Sequence, residues 1–154
     1  MKLSKLLFSV LAVSLLIGFA SCSDDDDDAI VGTWEYSKTE VSVVATDKTV
    51  EGLIKEDAIG YNDGVQTITF NKNGTFVMAG EDEDGTFSYG GSYVYKDNLL
   101  TTTIDGEEDG GGITKLVVNK NALTVELDET EDYQYDYPQA GISKVLFFIN
   151  YTHK

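Results

Sequence analysis

The sequence predicts an all-β fold: eight antiparallel strands closed into an up-and-down barrel, with one short helix in the first connection. Three observations carry this reading. Apolar and polar residues alternate over short runs, most clearly in "LTVELD", where Leu123, Val125 and Leu127 face one way and Thr124, Glu126 and Asp128 the other. Turn chemistry separates the runs at short spacing, as in "NKNG" and "NKNA". The last run, "KVLFFINY", is apolar on both faces in its first half. That suits a strand paired beside the first and covered on both sides, and closing the sheet in this way removes its exposed edges.

In chain order, Met1 to Ala20 reads as an export leader. Lys2 and Lys5 precede the apolar run Leu6 to Ala20, which is shorter than the roughly 20 residues of a membrane-spanning helix. Cys22 follows the small residues Ala20 and Ser21 and is the only cysteine, so it has no internal disulfide partner. The stretch "GFASCS" resembles the lipobox of bacterial lipoproteins, with Phe19 where Leu is usual. The resemblance implies removal of residues 1–21 and acylation of Cys22. Residues 22–28 then form an acidic linker, because five consecutive Asp repel one another and bury no apolar surface. "SDDDDD" also resembles the acidic signal that sends lipoproteins of Bacteroidota-type bacteria to the cell surface. Together these imply a lipid-anchored protein of the outer membrane whose one fixed partner is the bilayer.

Residues 29–154 suffice for one domain with a single core. The expected strands are Thr33–Val44, Val65–Asn71, Thr75–Ala79, Thr86–Lys96, Leu99–Ile104, Ile113–Asn119, Leu123–Glu129 and Ser143–Thr152. Gly90–Gly91 in the fourth reads as a bulge or a sharp bend. In the long link Asp47 to Gly64, Val50, Leu53, Ile54 and Ala58 fall at helical spacing. They predict a short amphipathic helix over one barrel mouth, weakened at Gly52.

Gly32-Thr33-Trp34 opens the first strand, a long lid-like link follows, and seven strands come after. This resembles the lipocalin-like (calycin-type) barrels, and most closely the lipocalin-like lipoproteins of Bacteroidota, many of unknown function. The resemblance implies that Trp34 packs across the closed end of the barrel and that the barrel binds small apolar molecules. Lipocalins often place an Arg against that Trp; this chain has no Arg, and Lys144 or Lys154 is the nearest substitute.

Charge narrows the function classes. Without the leader, nine Lys face 27 acidic residues, a formal charge of −18, or −13 once the five linker Asp are set aside. Such a surface repels phosphate backbones, which excludes nucleic acid as a partner. The sole His, His153, lies next to the C-terminus. With Cys22 assigned to the anchor, neither a Ser-His-Asp site nor a His-rich zinc site is expected, so no enzyme, no cofactor and no metal centre. Asp105, Glu107, Asp109 and Gly110 echo a calcium loop, but the closing position is Leu116. Two roles stay open. One is a binding module with a small apolar ligand in the barrel, lined by Ile68, Phe70, Phe76, Met78, Leu123, Val125, Phe147 and Ile149. The other is a surface interaction protein with a filled barrel, meeting a protein or glycan through its loops, Tyr133, Tyr135 and Tyr137 in "DYQYDYP" foremost. The anchor reading has a direct check: Cys22→Ser should abolish incorporation of labelled palmitate, and a variant labelled like the parent would refute it.

Overall fold

The computed structural model describes residues 29–106 and 111–154; the leader, Cys22, the Asp linker, Glu107 and Asp109 lie outside the described residues. The strands are β1 (Gly32–Ala45), β2 (Val65–Phe70), β3 (Thr75–Asp82), β4 (Gly85–Lys96), β5 (Leu99–Ile104), β6 (Gly111–Asn119), β7 (Ala122–Asp128) and β8 (Ile142–His153). They pair in chain order, and β8 returns to β1 to close the barrel. Helix α1 (Lys48–Asp57) joins β1 to β2, and α2 (Thr130–Asp136) joins β7 to β8.

Local chemistry explains these elements. Asp97 and Asn98 make the two-residue β4–β5 turn with φ of 54° and 62°, the left-handed pair that matches strand twist and that Asn and Asp tolerate best after Gly. Asp47 caps α1 by accepting from the amides of Thr49 at 2.8 Å and Val50 at 3.2 Å. The fully buried Ile54 and nearly buried Ala58 of α1 pack with Ala45, Ile142, Val145 and Phe147. Glu51 sits between Lys48 and Lys55 on the outer side, and their hydrogen bonds hold its carboxyl down at about 2.

The two ends of the barrel differ. The tight turns β2–β3, β4–β5 and β6–β7 share one end with the start of β1 and the end of β8. That end is closed. Trp34 is 0% exposed, and its indole N–H donates to the Ile30 carbonyl at 2.8 Å. Phe70, Phe76, Tyr93, Tyr95 and Tyr151 fill the space around it. The Tyr93 hydroxyl donates to the Asn71 carbonyl at 3.0 Å and the Tyr95 hydroxyl to the Leu116 carbonyl at 3.2 Å, so the buried phenols are satisfied by turn and strand backbone. Neither expected lysine covers Trp34. Lys154 pairs with Glu35 at 2.6 Å, and Lys144 lies near the opposite end of β8. His153 packs edge-on to the indole, with centroids 4.9 Å apart, because it lies opposite Trp34 in the β1–β8 ladder.

Two further expectations are corrected. Gly90–Gly91 makes no bulge: β4 runs through it in unbroken register with β3 and β5, and the bulges lie instead near Ser37, Ala45 and Gln66. Gly91 serves close approach, since a Cβ there would lie 2.0 Å from the Thr103 carbonyl oxygen. The "DYQYDY" stretch is helix α2 and not a loop. Tyr133 and Tyr137 turn inward onto the core, and only Tyr135 stands out, 86% exposed. The adjacent glycines therefore separate by experiment. Gly91→Ala should lower stability in urea unfolding by about 3 kcal/mol, an overpacking cost, while Gly90→Ala should stay within about 0.5 kcal/mol of the parent. Equal effects would contradict the close-approach account.

Candidate functional site: the barrel mouth

The open end is formed by the other four connections. Their backbones are placed by small residues. In the β1–β2 link, the Asn62 side chain accepts from the Gly64 amide at 3.1 Å and donates to the Val65 carbonyl at 3.0 Å. This fixes a turn whose tip, Asp63, has φ 51°. Gly64 then lies against Gly80 so closely that neither position has room for a Cβ. In the β7–β8 link, the Thr130 hydroxyl donates to Asp128 and accepts from the Val145 amide at 2.9 Å, and the Gln134 amide donates to the Ile142 carbonyl at 2.8 Å. Both links rest on one ring. Tyr61 packs edge-on to Phe147 at 5.1 Å and Tyr133 lies tilted on it at 6.0 Å.

This cover spans only the β1–β8 side. Antiparallel partners share a face, so the ladders identify the inward set. Ile68 opposes Met78, Val125 opposes Ile149, and Leu127 opposes Phe147. All eight expected lining residues point inward, but they divide by depth. Ile68, Phe70, Phe76, Leu123, Phe147 and Ile149 are buried, whereas Met78 and Val125 are only partly covered, along with Val65, Ile104 and Leu127. Tyr89, opposite Met78, is 46% exposed. An inward side chain of a closed barrel reaches solvent only where nothing fills the barrel above it. The core is sealed around Trp34, and most of the partly covered inward aliphatic side chains lie toward the mouth. An open cleft of about 900 Å³ lies over the mouth-side rim of β6 and β7, with Tyr61, Thr114, Leu127 and Glu129 in its wall.

The rim is acidic. Asp63, Glu126, Asp128, Glu129, Glu131 and Asp132 line the cleft with Lys115 and Lys144. Lys115 is paired to Glu126 at 2.8 Å. Burial and the neighbouring Asp132 push the Glu129 carboxyl up, and burial with Asp82 does the same to Asp63. Asp128 goes the other way, held down by the Thr130 hydroxyl. Burial, with Asp57 and Glu129 nearby, pushes the Tyr133 phenol up to about 12. Among the described residues, no three His, Cys, Asp or Glu side chains converge as metal ligands.

Sequence reasoning missed Tyr61, Val65, Ile104 and the carboxylates of the collar. Leu127 was visible in its alternation with Leu123 and Val125. Asp63 was visible only as part of a turn, since it shares the cleft wall with Glu129 from a link remote in sequence.

No protein-family model matches the sequence, and no curated protein matches it. Among solved structures the chain is similar to a DUF4847 family protein from Bacteroides vulgatus ATCC 8482, at 15% identity and a TM-score of 0.42 over 85% of this chain and 98% of that one.

The raised carboxyls make a signed prediction. A carboxyl whose pKa is raised by folding binds its proton more tightly in the folded than in the unfolded chain, so it subtracts stability at neutral pH and stops doing so once both states are protonated. Glu129→Gln keeps the shape and can donate to Asp132. It should raise Tm at pH 7 by about 2 °C and leave it unchanged below roughly pH 4. A lower Tm at pH 7 would show that Glu129 is not a strained charge.

Proposed function

We propose that the protein is a non-catalytic binding module whose barrel takes a small apolar ligand through the mouth, held at the outer membrane by an acylated Cys22. The supporting observation is the partial exposure of inward apolar side chains, Met78, Val125 and Leu127 among them, above a packed floor. Exposed inward apolar surface favours an apolar occupant, at about 25 cal/mol for each Å² covered. The cleft volume, about 900 Å³, falls within the range of small-molecule sites, and its mostly charged wall meets apolar surface at Tyr61 and Leu127. The sole His packs on Trp34 at the closed end, remote from this opening, which supports a role in binding without catalysis. The filled-barrel reading has an observation of its own in Tyr135, 86% exposed on α2 between Gln134 and Asp136.

Native mass spectrometry of residues 29–154, which contain all eight strands and both helices, prepared gently from a lipid-rich extract, addresses the first reading. A retained small-molecule mass is the expected result. Met78→Trp and Val125→Trp, which would fill the mouth-side half, should abolish that retention while leaving the folded spectrum intact. Retention by both variants would place the ligand elsewhere.

A further inference from the structure

We propose that the mouth selects cationic amphiphiles, an alkylammonium headgroup held in the acidic collar with its hydrocarbon tail on the inward apolar side chains. This rests on the reading of the barrel as a ligand carrier and adds the class of ligand.

Two independent observations meet at one place. The first is the mouth-side half of the barrel, where Val65, Met78, Ile104, Val125 and Leu127 point inward without being fully covered. That surface calls for a hydrocarbon. The second is how the fold sorts its charge. Residues 46–64, 81–84, 105–106 and 128–144 belong to the mouth-side connections and adjoining strand ends. They hold 15 of the 19 described acidic residues that follow the Asp linker, against three lysines, Lys48, Lys55 and Lys144. The closed end carries the opposite bias, with Lys72, Lys96, Lys120 and Lys154 against Glu35 and Asp97. The negative charge of the domain is thus concentrated around the barrel mouth. The cleft wall carries six carboxylates against Lys115 and Lys144, and such an excess of one sign beside low-dielectric walls concentrates counter-ions.

The collar is also under electrostatic strain. Burial and then Asp82 of β3 raise the proton affinity of Asp63 in the first link, and burial with Asp132 and Asp63 does the same to Glu129 in the last link. A cation entering among them relieves that repulsion. A fatty acid or an anionic phospholipid adds to it. Because the carboxylates do not converge as metal ligands among the described residues, the arrangement suits a diffuse organic cation better than a small dehydrated one. Tyr61 and Tyr89 beside the opening offer ring surface to an ammonium group.

The test compares three amphiphiles of matched tail below their micellar limits: decyltrimethylammonium, decyl maltoside and decanoate. Binding to residues 29–154 is followed by calorimetry and by the methyl resonance of Met78, the only methionine after Met1. The cation should bind about tenfold more tightly than the maltoside at low salt, with decanoate weakest, and raising NaCl from about 20 mM to about 500 mM should shrink that spread. Asp63→Asn combined with Glu129→Gln and Asp132→Asn should lower cation affinity several-fold and leave maltoside binding unchanged. Should that variant not fold, the salt series on the parent decides alone. Equal binding of all three headgroups, or a preference for decanoate, overturns this inference and leaves the carrier reading standing. Binding of none of them overturns both.

Discussion

β8 hydrogen-bonds to β1 from the Trp34–His153 pair at the closed end to the Ala45–Ile142 pair at the mouth; without that ladder both strands would be open edges and the core would have no wall. The packing follows from this closure. Trp34 is sealed because His153 arrives opposite it, and a Cβ at Gly32 would strike the His153 ring. Phe147 lies under Tyr61 and Tyr133 because β8 carries it to the side where the two long links meet. The cover over half the mouth is thus a consequence of the same ladder that shuts the barrel.

The uncovered inward surface and the collar are complementary departures from what stability alone would favour. A core filled to the rim would bury more apolar surface, and a collar with interspersed lysines would repel itself less. Instead, inward Met78 and Leu127 remain partly uncovered, and Glu129 holds its proton more tightly because of burial and then its acidic neighbours. Departures of this kind collect at sites shaped for something other than folding. Most of the partly covered inward aliphatic side chains and most of the described acidic residues fall in the same half of the barrel, which ties the two together.

Strand number, order and the helix in the first link were legible in the sequence because each rests on local signals: alternation, Asn- and Gly-rich turns, and apolar residues at helical spacing. The inward face was legible for the same reason, since Leu123, Val125 and Leu127 keep one parity. What alternation leaves open is depth. Phe70 and Met78 have the same pattern, yet one is sealed and the other is not, because that depends on what crosses the barrel above them. The Tyr133–Tyr137 segment was misread for a related reason. Alternating tyrosines imitate a strand or an open loop, whereas packing of Tyr133 on Phe147 and a hydrogen bond from Gln134 to β8 hold it as a short helix. The collar was hidden longest. Acidic residues are so frequent in this chain that their positions carry no signal until the strand count assigns each link to an end.

Both ends of the strand series, Gly32 and His153, emerge on the closed side. On the lipid-anchored reading, the acyl chains at Cys22 therefore tether the domain by its plugged base, and the opening looks into the medium. Cargo would not slide in sideways from the host bilayer. It would arrive as a dissolved monomer or be handed over by another particle. The rate of loading would then follow the concentration of free monomer in the surroundings and would be insensitive to what is dissolved in the membrane beneath.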